Sequence, residues 1–224
     1  MTNTREQLLD IYRLLLDAFG PQHWWPGETV FEIMLGAILT QNTSWANVEK
    51  AIANLRAAGC LEPNALHELD PAELETLIRP AGYFRLKAKR LTNFTHWLFA
   101  GYGGDLTALE DVDTARLREE LLGISGVGPE TADSILLYAL NRPVFVVDTY
   151  TARVMVRHGL LEPEIDYQQL QDLFESHLEP DVALFNEYHA LLVRLGKDFC
   201  KPKPKCAACP LNPLPHSIKI ERCS

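Results

Sequence analysis

The 224-residue sequence predicts an all-α protein, and three observations carry that prediction. Apolar residues recur at three- and four-residue spacing in one segment after another. Capping residues open these segments, and Gly or Pro closes them. A period-two pattern of strand length is missing, because Val144 to Val147 is too short a run.

Arg5 to Phe19 sets Leu8, Ile11, Tyr12, Leu15 and Phe19 on one helical face, and Gly20-Pro21 stops it. His23-Trp24-Trp25-Pro26-Gly27 follows as an aromatic loop. Two adjacent tryptophans do not easily face one core, so the loop is either a lid or plug, or a stacking surface for a base. Glu28 to Thr40 is apolar nearly all round and should be buried. It ends at Gln41-Asn42-Thr43-Ser44-Trp45, polar residues at the mouth of a buried helix. They mark a site or merely cap the next helix, which runs to Ala58 and ends at Gly59. Asp70-Pro71-Ala72-Glu73 is a capping box with proline in the first turn, opening a short helix to Arg79. Pro80-Ala81-Gly82 breaks it, and Tyr83 to Ala100 forms a long helix whose basic run Arg85 to Arg90 is expected to be a solvated face. Ala115 to Leu122 and Pro129 to Leu140 flank a hairpin. Thr149 to His158, Asp166 to Leu178 and Asp181 to Leu195 complete about ten helices joined by short loops.

The hairpin carries the first chemical signal. Gly123, Gly126 and Gly128 allow backbone turns that a side chain would oppose, and Pro129 stands where a helix begins. Unpaired N–H groups at the positive end of that helix make an anion site. Asp148 follows one helix length later. One reading is a hairpin gripping a DNA phosphate with Asp148 acting on the neighbouring nucleotide. The other is that Asp148 only caps the helix beginning at Thr149.

Composition narrows the choices. Hydrophobic residues make up 47% of the chain, ample for a packed core. No apolar run spans a bilayer, and Met1 to Asp10 lacks a signal-peptide core, so a cytoplasmic, monomeric protein without a membrane partner is expected. The net charge of −9 argues against a general nucleic-acid binder. Two basic stretches stand against it: Arg79 to Arg90, and Arg194 to Lys205 with Lys197, Lys201 and Lys203.

Cys60 stands alone and is expected to be a packed thiol. Cys200, Cys206, Cys209 and Cys223 are separated by five, two and thirteen residues. In a cytosolic chain such a group favours a metal over disulfides.

The run Ile124-Ser125-Gly126-Val127-Gly128-Pro129-Glu130-Thr131-Ala132, with Val147-Asp148-Thr149 downstream, resembles the helix-hairpin-helix DNA glycosylases of the endonuclease III superfamily. The resemblance covers nearly the whole chain. It implies a helical barrel over residues 28–142, with the helix-hairpin-helix at 115–140, and a second domain from 1–27 and 143–224, with the base pocket between them. It implies that the hairpin binds the DNA backbone through Gly126 and Gly128, that Asp148 is catalytic, and that Gln41 fills the space left by an extruded nucleotide. Gly196-Lys197-Asp198-Phe199-Cys200 with Cys209-Pro210-Leu211 resembles the family's cluster loop. This implies a [4Fe–4S] cofactor on Cys200, Cys206, Cys209 and Cys223, with zinc or no metal as alternatives, holding Lys201 and Lys203 against a phosphate. The last gap is longer than the family's usual spacing.

Lyase members of the superfamily carry a lysine nucleophile where this chain has Glu130, and a carboxylate cannot form an imine. Trp24-Trp25-Pro26, Leu39-Thr40-Gln41-Asn42-Thr43, Arg79-Pro80-Ala81-Gly82-Tyr83 and Lys87-Ala88-Lys89-Arg90-Leu91 look like the endonuclease-III-type 3-methyladenine DNA glycosylases. That branch implies a monofunctional enzyme of base excision repair. It releases alkylated purines from double-stranded DNA, with Trp24, Trp25, Pro26 and Trp45 around the base and Glu130 adding negative potential. A tryptophan face attracts a cationic base by ~0.5–2 kcal/mol. The alternatives are a bifunctional glycosylase and abasic-site lyase for oxidised pyrimidines, and a DNA-binding protein without catalysis.

Overall fold

The computed structural model describes residues 3–217, and among these the fold is all-α with no strand. Two compact units divide the chain: Met1–Trp24 with Pro143–Ser224, and Trp25–Arg142. The first is called the terminal unit and the second the central unit.

In the terminal unit, α1 spans Thr4–Phe19. Asn3 and Glu6 cap each other's end of its first turn, which satisfies two otherwise orphaned amides. Gly20 ends it at φ +66°, a conformation glycine adopts without strain.

The central unit holds α2 (Val30–Leu39), α3 (Trp45–Ala57), α4 (Pro63–His67) and α5 (Pro71–Leu77). After these come α6 (Phe84–Tyr102), α7 (Thr114–Leu122) and α8 (Pro129–Ser134). As its composition requires, α2 is buried from Phe31 to Leu39 except at Ile33. Met34, Leu35 and Ile38 meet a core shared with Leu55, Leu91, Phe94 and Leu121. Each such side chain contributes roughly 1.5–3 kcal/mol on burial. Asp70 caps α5 by accepting from the amides of Ala72 and Glu73. Past Ser134, α8 widens into a π-helix over Ile135–Ala139, where every side chain is buried.

Two features depart from the sequence reading. The short α4 opens at Pro63 with no side-chain cap, so it left little signal. Lys87 is not on a solvated face: it is 1% exposed, and its Nζ donates to the carbonyls of Leu39 at 2.8 Å and Ala81 at 2.7 Å. It thereby ties the end of α2 to the turn before α6. Burial lowers its pKa to about 8, with help from the charge of Arg90.

The chain then returns to the terminal unit as α9 (Thr149–Arg157), α10 (Tyr167–Glu175) and α11 (Val182–Asp198). Residues 144–147 are buried without joining a sheet. Side chains of α10 replace the missing strand partner: Glu175 accepts from the Phe145 amide, and Gln171 donates to the Phe145 carbonyl, both at 2.8 Å. Phe145 stacks on Phe174 at 3.9 Å, and Tyr188 of α11 donates to the Leu8 carbonyl of α1. This fixed segment delivers Asp148 to the start of α9.

Candidate active site

Asp148 is the N-cap of α9. Its Oδ1 accepts from the amides of Tyr150 at 2.9 Å and Thr151 at 2.8 Å, and from the Thr151 hydroxyl at 3.0 Å. Its Oδ2 faces Nε2 of His189 at 3.7 Å. Burial alone would raise the pKa of this carboxyl; the interaction with His189 and the Thr151 donors outweighs that and holds it below the usual carboxylate value. The two readings of Asp148 are therefore compatible: one oxygen is consumed by the cap, and the group as a whole stays ionised in a nearly dry setting.

In the central unit, Gly126 lies at φ +99° and Gly128 at φ −99° as the N-cap of α8. Both are exposed, while Ile124 before them and Val127 between them are buried and anchor the hairpin. Arg118 of α7 grips Asp133 of α8 with Nε to Oδ1 at 2.6 Å and Nη2 to Oδ2 at 3.0 Å, clamping the two helices. Gln41 is bound to this hairpin. Its Nε2 donates to the Gly126 carbonyl at 3.2 Å and the Thr131 hydroxyl at 2.8 Å, and Arg90 Nη1 donates to its Oε1. Glu130 is exposed in the first turn of α8, where a carboxylate complements the helix dipole.

Trp25, Pro26 and Trp45 line one cavity of about 270 Å³ with Glu32, Glu49 and Arg56. That is near the lower end of small-molecule sites. Trp25 lies 5.0 Å from both Trp45, edge to face, and Tyr138. Trp45 Nε1 donates to Glu49 at 2.9 Å. Gly36 of α2 admits both indoles: a Cβ there would stand 3.2 Å from Trp25 Nε1. Trp24 is not among the lining residues; the Lys197 ammonium lies over its ring at 5.9 Å.

The terminal unit carries Lys201, Lys203 and Lys205 exposed after α11. Arg153 donates to the Cys200 carbonyl, and Arg157 donates to the Cys200 Sγ and the Lys201 and Pro202 carbonyls. The expected [4Fe–4S] cofactor is corrected here. Among the described residues no group of three or more His, Cys, Asp or Glu side chains is disposed to hold a metal ion. Cys200, Cys206 and Cys209 are free thiols, and burial pushes that of Cys209 up in pKa. Cys223, expected as the fourth ligand, lies outside the described residues. Cys60 is buried, its Sγ donating to the Ala58 carbonyl.

The sequence reading missed His189, Thr151, Arg90, Tyr138 and Gly36. A glycine inside the apolar pattern of α2 and a lone histidine on the apolar face of α11 were the available signals.

The family model described as HhH-GPD superfamily base excision DNA repair protein matches residues 35–180. A Methanocaldococcus jannaschii protein, provisionally named a DNA repair glycosylase, is 50% identical over 94% of this chain and 96% of its own. Endonuclease III of Sulfolobus acidocaldarius is 30% identical over 81% of this chain and 79% of its own. The solved structure of an H. pylori 3-methyladenine DNA glycosylase bound to 1,N6-ethenoadenine superposes with a TM-score of 0.72. It is 30% identical and covers 88% of this chain and 98% of that one. No helix among the described residues is long and apolar enough to cross a membrane. The chain belongs to the HhH-GPD superfamily of base excision DNA repair proteins and is a DNA glycosylase.

Proposed function

We propose that this glycosylase cleaves the N-glycosidic bond with Asp148 as the catalytic carboxylate. The observation that carries the reading is the nearly buried Asp148 at the start of α9, its Oδ1 held by three donors and its Oδ2 facing His189. As the base departs, the sugar becomes cationic, and a fixed carboxylate in a water-poor setting stabilises that charge. Gln41, Gly126 and Gly128 would meet the duplex, with Lys201 and Lys203 adding phosphate contacts from the terminal unit. Single-turnover release of free base from a panel of lesion duplexes tests this. Asp148→Asn is expected to slow release by about 10²–10⁴-fold while still binding DNA, and equal release by both proteins would remove Asp148 from the reaction.

For the lesion, the curated relatives named endonuclease III favour the bifunctional reading, a glycosylase and abasic-site lyase for oxidised pyrimidines. A lyase needs an amine to attack C1′, and Glu130 does not supply one. Lys87 has a lowered pKa, but its ammonium is committed to two buried carbonyls. Borohydride trapping on abasic DNA tests for the amine, wherever it lies.

A second reading, release of alkylated purines without strand cleavage, rests on a specific observation. Trp25 and Trp45 line a cavity beside Glu49 and the Glu32–Arg56 ion pair, and their indole rings favour a cationic ring. The H. pylori relative bears on the same reading. Release of 3-methyladenine with no trapped adduct would favour it.

A further inference from the structure

We propose that His189 is a positioning residue that keeps Asp148 ionised and oriented for the reaction. This rests on the assignment of Asp148 as the reacting carboxylate. The geometry is divided between two helices. The N-terminus of α9 occupies Oδ1 with three donors, and Nε2 of His189, on α11, faces Oδ2 at 3.7 Å. Both side chains are nearly buried, 7% and 11% exposed. Phe185, Tyr188, Leu192 and Leu195 also lie buried on α11, where an imidazole is costly unless a polar group answers it. Asp148 answers it.

The other charged side chains of these helices are turned elsewhere. Arg153 and Arg157 of α9 hold the backbone at Cys200, Lys201 and Pro202. Glu187 of α11 accepts from the Gln22 amide, Arg194 donates to the Phe19 carbonyl, and Lys197 lies over Trp24. The Tyr188 hydroxyl is used by Leu8, and the Tyr150 ring lies against Gly196. His189 is thus the ionisable side chain set against Oδ2. Its interaction is the largest of those that oppose the effect of burial on the Asp148 carboxyl. Without it, the Thr151 donors would oppose burial with less help and the carboxyl would titrate at higher pH, and a protonated acid cannot stabilise a cationic sugar.

The test follows two readouts in wild type, His189→Leu and His189→Gln. One is the titration of the Asp148 side-chain carboxyl by carbon NMR in the DNA-free protein, assigned with Asp148→Asn. The other is the pH profile of single-turnover base release. In His189→Leu both the titration and the acid limb of the rate are expected to move to higher pH. His189→Gln keeps a donor in place of the imidazole, so it should move them less and carries the test if the leucine variant fails to fold. An unmoved carboxyl titration overturns the proposal. A moved titration with an unmoved rate limb overturns the role in the reaction and, with it, the assignment of Asp148. If wild type releases no base from any lesion, the reading of function fails separately, and the NMR arm still decides whether the pair exists.

Discussion

Asp148 both starts a helix and carries a charge, and two substitutions separate these roles. Asparagine caps a helix about as well as aspartate, so Asp148→Asn should leave the melting temperature near that of wild type while base release falls by about 10²–10⁴-fold. Asp148→Ala should lose the same activity and about 1 kcal/mol of stability besides, measured by denaturant unfolding. Asp148 was legible in the sequence because a single acid stands between an apolar link and a helix start; His189 was not, because one histidine among leucines has the pattern of an ordinary core residue. Lys87 was misplaced for the opposite reason, since a lysine in a basic run looks solvated until Leu39 and Ala81 are brought to its ammonium. Its native pKa of about 8 lies below the ordinary 10.5, so between those values the unfolded chain binds the proton more tightly. Stability from this group therefore rises with pH through that window. Lys87→Met leaves two carbonyls unsatisfied, at a cost of about 1–3 kcal/mol. Its deficit against wild type should widen from pH 7.5 to pH 9.5 in denaturant titrations.

At the scale of elements, the hairpin is set by α7, α8 and two glycines with unequal demands. Gly126 sits at φ +99°, and a Cβ there would run into Cγ of Arg90, the residue that also holds Gln41. Gly128 sits at φ −99° with open space around its Cα. Gly126→Ala should therefore destabilise by about 1–2 kcal/mol and weaken duplex binding, whereas Gly128→Ala should fold like wild type. Thermal unfolding and anisotropy with a lesion duplex check both; equal behaviour of the two variants would show that backbone conformation does not set the hairpin. Helix starts at Asp70, Asp148 and Asp166 were legible because their side chains cap the backbone locally; the cap at Asn3, one residue ahead of α1, was not read. The π-helical stretch after Ser134 was not, because Ile135 to Ala139 are apolar on every side and periodicity cannot register one extra residue in a turn.

At the scale of the whole molecule, a chain of net charge −9 acts on a polyanion, so the phosphate contacts must be few and local. Hairpin amides at Gly126 and Gly128 would bind a phosphate without carrying formal charge and release few counterions, which would suit an enzyme that must leave its product. The exposed lysines after α11 would be a different kind of contact; the arginines that fasten their loop do so largely through backbone carbonyls, and the lysine side chains stay exposed. If Lys201 and Lys203 meet phosphates, replacing both with glutamine should lower the slope of log K against log salt by about 1–2 and weaken all duplexes alike, lesion or none. Base release at saturating enzyme should stay near wild type, because neither side chain approaches Asp148 by any contact described above. Anisotropy titrations at several salt concentrations measure the slope. An unchanged slope would assign the interface to the hairpin and Gln41 alone, and the acidic chain would then hold DNA chiefly by uncharged amides.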